Sequence, residues 1–208
     1  MKKGIFITFE GCEGVGKSSQ LRMLQDYLRE QNIAFYFTRE PGGTGVSEQI
    51  RAVILDGKNS AMADECEALL YAAARVQLLK EEIEPRLNRG ELVICDRYVD
   101  SSLAYQGYAR GLGVDYVKSI NDYAFKNVMP DYTIFLRLPP SEAFKRKGGV
   151  DGTDRVELSG VDFHNAVFEG YNKLASEYKD RFIVIEATGT KYETQQKIIS
   201  ALKERGVL

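Results

Sequence analysis

FEGCEGVGKSSQ, residues Phe9–Gln20, decides the fold. Within it, Gly11-Cys12-Glu13-Gly14-Val15-Gly16-Lys17-Ser18 satisfies G-x-x-x-x-G-K-[ST], with Ser19 directly after. The apolar run IFITF (Ile5–Phe9) precedes the glycines, and Leu21, Leu24 and Leu28 follow at helical spacing. The loop therefore joins a strand to a helix, the context in which it cradles phosphate. Glycines let backbone N–H groups turn inward around an anion, and the helix N-terminus adds partial positive charge. Lys17 can then reach outer phosphates, and the Ser18 hydroxyl can ligate Mg²⁺.

Working outward, AFYFT (Ala34–Thr38), LVICD (Leu92–Asp96), TIFLRL (Thr133–Leu138) and FIVIEA (Phe182–Ala187) read as further buried strands. Continuous apolar strands separated by helical patterns mark a parallel sheet covered on both faces. One helix is expected to open at Asp64, with Glu67 three residues on as a capping box, to be interrupted by Pro85 and to end at Gly90. Phe163, Val167, Tyr171, Leu174 and Tyr178 form a third apolar stripe, and Ile198, Leu202 and Gly206 mark a terminal helix. The expected fold is a three-layer α/β P-loop domain with a five-stranded parallel sheet, spanning 1–208 as one unit with a lid segment near 145–156. Functional loops belong at the carboxyl ends of its strands, where Asp96 stands ready to hold Mg²⁺ directly or through water.

The chain's 28 Lys+Arg against 30 Asp+Glu give a net charge of −2, which argues against a nucleic-acid coat or a membrane-surface binder. No run approaches the ~18 consecutive apolar residues of a membrane span. The scattered Cys12, Cys66 and Cys95 make neither a disulfide framework nor a zinc site, and point to a reducing cytoplasm. MKKGIFITFEG reads as a first strand rather than a secretory signal. The single histidine, His164, is expected on the surface. KRKGGVDGTDR (Lys145–Arg155) is glycine-rich and basic, and reads either as a surface loop or as a lid that closes on phosphates.

Two stretches say more. TREPGGT (Thr38–Thr44) and DRYVDSSLAYQGYARG (Asp96–Gly111) resemble the signature segments of thymidylate kinases. LLYAAAR (Leu69–Arg75) and DRVE (Asp154–Glu157) are similar to that family in the same order. The resemblance implies transfer of a phosphoryl group from ATP to dTMP with Mg²⁺, in a homodimer. It implies that Gly11 to Ser19 hold ATP, and that Ser18 and Asp96 hold the metal. Arg97 matches the clamp on the acceptor phosphate, and Arg39 the arginine that holds the same phosphate near the donor. Glu13 matches a contact to the sugar hydroxyl, Tyr71 an aromatic stacked on thymine, and Arg75 a reader of its carbonyl edge. Ser101, Ser102, Tyr105 and Gln106 match positions around base and deoxyribose. With no arginine inside the glycine loop, the catalytic lid cation is expected to be Arg155, with Arg146 second; Lys147 reads equally as a solvated charge.

Tyr71 and Arg75, four residues apart, share one face of a helix, where an aromatic plane and a fork of donors suit a pyrimidine dione. For Tyr71 plain core packing stands beside this reading, and for Arg97 a structural ion pair with Asp96 or another carboxylate. Tyr171 matches a family tyrosine near the acceptor but lies on an apolar stripe, so core packing is expected of it. Two positions depart from the family pattern: Leu78 stands where histidine is frequent, and Arg137 where an acid or amide is. The rival readings are a kinase for another small acceptor and a nucleotide switch; the N-K-x-D guanine motif of a switch is absent.

Overall fold

A computed structural model of the protein describes residues 4–147, 155–156 and 159–208. Its strands are β1 (Ile5–Glu10), β2 (Phe35–Arg39), β3 (Leu92–Asp96), β4 (Tyr132–Arg137) and β5 (Phe182–Glu186). All pair in parallel, in the order β2-β3-β1-β4-β5. Side chains alternate across each strand. Ile7, Phe9 and Ile94 therefore enter a core with Leu24, Leu28 and Leu174, while Phe6, Val93 and Cys95 enter a second core with Leu78, Leu79 and Ile83. Burial on both faces is why these strands read as unbroken apolar runs.

The helices are α1 (Lys17–Glu30), α2 (Gly45–Leu55), α3 (Asp64–Leu78), α4 (Glu84–Asn88), α5 (Val99–Ser102), α6 (Val114–Ile120), α7 (Asp122–Asn127), α8 (Pro140–Lys147), α9 (Val161–Glu177) and α10 (Lys191–Glu204). Among the described residues, no helix is long and apolar enough to cross a membrane.

Four sequence expectations are corrected. No side chain caps α3: Ala63 is the N-cap, and Glu67 turns fully inward to meet Gln106, Arg110 and Arg155. Three donors held away from bulk water, one buried and two part-buried, outweigh one helix-end N–H. Pro85 does not interrupt the helix either. A π-helical stretch, Leu79–Ile83, widens the turn just before it, and Pro85 lies in the first turn of α4. The widened turn accommodates the missing N–H of the proline and lets the helical run continue. Lys145 to Lys147 belong to α8 rather than to a loop. Residues 148–154 of the expected lid, and Glu157, lie outside the described residues. His164 is buried, edge-on to Phe144 and Phe163, because the inner face of α9 is broader than the stripe alone suggests. Tyr171 packs in the core as expected, its ring centroid 5.2 Å from that of Phe135.

Candidate active site

The chain leaves β1 at Glu10 and turns through Gly11, Gly14 and Gly16, all with positive φ. Two of these glycines are also held by space. A Cβ on Gly11 would lie 2.8 Å from the Leu136 carbonyl oxygen, and one on Gly14 2.9 Å from that of Ala143. Gly16 caps α1 without a side-chain bond, which leaves the helix N-terminus to an anion. Lys17 Nζ lies 3.1 Å from the Gly11 carbonyl and 3.4 Å from that of Cys12. Burial, and then the neighbouring Arg97, lower the pKa of this ammonium. Burial pushes the Cys12 thiol up to about 12, which disfavours the thiolate inside the cradle.

Arg97 follows β3 with φ 67, a left-handed conformation held by its own N–H to the Phe9 carbonyl at 3.0 Å. This turns its guanidinium toward the glycine loop, where it pairs with Glu13 and donates to the Gly11 carbonyl at 3.3 Å and Ser101 Oγ at 3.4 Å. The ion-pair partner is thus Glu13, across the cleft, rather than Asp96. Beneath them Glu10 accepts from the Tyr98 N–H and from the hydroxyls of Ser101 and Tyr171, at 2.6 to 2.8 Å. Burial and then Asp100 push the Glu10 carboxyl up to about 7, against those bonds and Arg97. Tyr171, placed in the core by its spacing, also props Ser101.

Arg39 ends β2 opposite Asp96 of β3. Its guanidinium meets both oxygens of Glu48 on α2, at 2.9 and 3.0 Å, and Glu48 also accepts the Gly43 N–H at 2.8 Å. Arg51, one turn on, donates to the Pro41 carbonyl at 2.9 Å. Helix α2 therefore pins the Arg39–Gly43 turn. Sequence reading missed it, because a surface-patterned EQIRAV gives no local sign of what it will touch.

Glu13, Lys17, Ser18, Arg39, Tyr71, Asp96, Arg97, Ser101, Ser102, Tyr105 and Gln106 line one cleft, together with Glu40, Pro41, Arg51, Leu55 and Val156. Nearly all the expected acceptor residues are thus brought together, Tyr71 included. Arg75 is the exception. It is only 1% exposed, with Nε 2.8 Å from Glu40 Oε2 and Nη1 2.5 Å from Asn121 Oδ1. It stands behind Glu40 rather than on the cleft wall. Burial pushes the Glu40 carboxyl up to about 7 while Arg75 works the other way. Removing one partner of so buried a pair costs about 3–5 kcal/mol.

A second depression adjoins the glycine loop, lined by residues 13–20 with Arg146, Gly189, Lys191 and Thr194. The two hollows share Glu13, Lys17 and Ser18. Arg146 donates to the Gly189 carbonyl at 3.4 Å. The structure does not bring Arg155 to either hollow. Its guanidinium pairs with Glu67 and its Nε donates to the Ile54 carbonyl at 3.1 Å.

Among the described residues no cluster of three or more His, Cys, Asp or Glu could hold a metal alone. The residues present fit a different mode, in which one carboxylate and a hydroxyl hold Mg²⁺ together with substrate phosphates. Asp96 Oδ1 is buried without a hydrogen-bond partner, and Ser18 lines the same cleft.

Comparison with known proteins agrees with this geometry. The family model described as thymidylate kinase matches residues 9–198. The thymidylate kinase of Bacillus pumilus is 47% identical over 203 residues, covering 97% of this chain and 96% of that one. That of Clostridium novyi is 50% identical over 189 residues, 90% of this chain and 92% of its own. That of Finegoldia magna is 44% identical over 204 residues, 98% and 100%.

Proposed function

The chain belongs to the thymidylate kinase family, and from that premise we propose how its two hollows carry out the reaction. The protein is an ATP:dTMP phosphotransferase, giving dTDP and ADP. The observation that carries this reading is the shared wall: Glu13, Lys17 and Ser18 face both hollows, so two nucleotides can meet end to end across the glycine loop.

The acceptor occupies the first cleft. Tyr71 stacks on thymine, Ser102 and Gln106 meet the base, and Glu13 meets the sugar hydroxyl, with Tyr105 beside it. Arg39 and Arg97 hold the 5′-phosphate. At neutral pH that phosphate is largely dianionic and already a nucleophile, so no general base is needed. Arg75 supports base recognition from behind the wall through Glu40. The donor occupies the second hollow, its phosphates on the loop N–H groups and Lys17, and its adenosine toward Gly189 and Lys191. Ser18 and Asp96 would hold Mg²⁺, which neutralises charge on the donor phosphates. Arg146, at the base of the lid, is the cation best placed to help. Catalysis is positioning and charge neutralisation.

The homodimer and the cytoplasmic location are part of the same proposal. Exposed Val46 and Val53 on α2 and Leu69 on α3 supply apolar surface that supports a second copy.

A coupled assay with ATP, Mg²⁺ and a panel of monophosphates tests the reading. Turnover is expected to be fastest with dTMP. Because dUMP differs by one methyl group, it should leak through at about 10–200-fold lower efficiency. Equal turnover of cytidylate and thymidylate would remove the thymine assignment.

A further inference from the structure

Gln106 is 2% exposed and lines the acceptor cleft, but one end of its amide is already committed. Nε2 donates to Glu67 Oε1 at 2.8 Å. Glu67 is not on the cleft wall. It is fully buried in α3, where Arg110 donates to it at 3.1 and 3.3 Å and Arg155 pairs with it as well. Burial pushes its carboxyl up, but the Gln106 amide and the two guanidinium groups outweigh that and hold it below the ordinary carboxylate range. An ionised carboxylate only accepts hydrogen bonds. The amide of Gln106 is therefore oriented with its NH₂ end on Glu67, which leaves the carbonyl Oε1 as the acceptor this cleft-lining side chain can offer.

We propose that Glu67 is a specificity-determining positioning residue, which fixes Gln106 so that the pocket offers an acceptor to position 3 of the pyrimidine. This inference rests on the acceptor site assigned above. Thymine carries N3–H, a donor that satisfies Oε1. Cytosine carries a bare N3, an acceptor, and would bring two lone pairs face to face in a buried site. A site that leaves a buried polar group unpaired against the wrong ligand discriminates far more strongly than one that weighs a methyl group. Arg110 and Arg155 then serve recognition at one remove, by keeping Glu67 an obligate acceptor. That gives Arg155, at the trailing edge of the expected lid, a role that needs no contact with phosphate.

Glu67→Gln tests this directly, because it supplies a donor where there was none. Oε2 of Glu67 receives both Arg110 Nη2 and Arg155 Nη2, so the oxygen of the new amide belongs there. Its NH₂ end then takes the place of Oε1, giving up the 3.3 Å bond from Arg110 Nε and facing Gln106, which must reverse and offer its own NH₂ to the cleft. The ratio of kcat/KM for dTMP to that for dCMP is expected to fall at least about 100-fold, with a raised KM for dTMP. A role in stability alone would lower the active fraction and the melting temperature while leaving that ratio within about threefold of wild type, and would overturn the proposal. Should Glu67→Gln fail to fold, Gln106→Met, close in shape but without the amide, must still lower the ratio about tenfold; an unchanged ratio again overturns it. Wild-type turnover of dTMP, measured alongside, separates failure of this inference from failure of the assigned function.

Discussion

Arg97→Ala is expected to lower kcat/KM for dTMP about 10²–10³-fold while the affinity for ATP stays close to wild type. The guanidinium lines the proposed acceptor cleft, bonded to the Gly11 carbonyl and paired with Glu13. A monophosphate dianion would draw it from those partners and be fixed in line with the donor. Removing it takes away both the clamp and a positive charge near the transferred group. The backbone adds no strain of its own, since alanine and arginine carry the same steric penalty at φ 67. Glu13 keeps access to water, with its side chain 26% exposed, so losing its partner should not unfold the loop. Steady-state kinetics in both substrates, with ATP binding followed separately, read the result. Wild-type rates would remove Arg97 from the mechanism.

Lys17→Met is expected to act on the other partner. Methionine fills much of the same volume, so the loss is mainly that of the charge. Turnover should fall about 10³-fold, because Lys17 is the one side-chain ammonium that lines both hollows among the described residues. In this structure it rests on the carbonyls of Gly11 and Cys12, a substitute for the phosphate oxygens it would reach. Binding of dTMP should change little and that of ATP should weaken. This is the reverse of the Arg97 pattern, so the two variants together separate acceptor side from donor side. Turnover within tenfold of wild type would contradict the assignment of Lys17.

The features legible in the sequence are those written in contiguous residues. The glycine loop, the five apolar strands and the DRY segment each carry their own pattern, and each falls where that pattern puts it. The features that escaped are pairings between distant segments. Glu67 looked like a cap because its spacing from Asp64 is right for one. Only the tertiary fold brings Arg110, 43 residues on, and Arg155, 88 on, to outweigh that local role. Glu40 is visible in the REPGG stretch, yet nothing there shows that it would meet Arg75 and stand between it and the cleft. Composition made KRKGG look like loop throughout, although Pro140 opens a helix whose turns carry through Lys145 and Arg146. The glycine loop alone left open whose phosphate moves; the family match, carried by the TREPGGT and DRYVDSS stretches, supplies the answer.

The most direct test is product analysis of the wild-type protein with ATP and Mg²⁺, with and without dTMP. Transfer requires dTDP and ADP to appear in equal amounts, with negligible ADP when the acceptor is omitted. Release of ADP and inorganic phosphate at the same rate with or without dTMP would contradict the proposal that the glycine loop brings two nucleotides together.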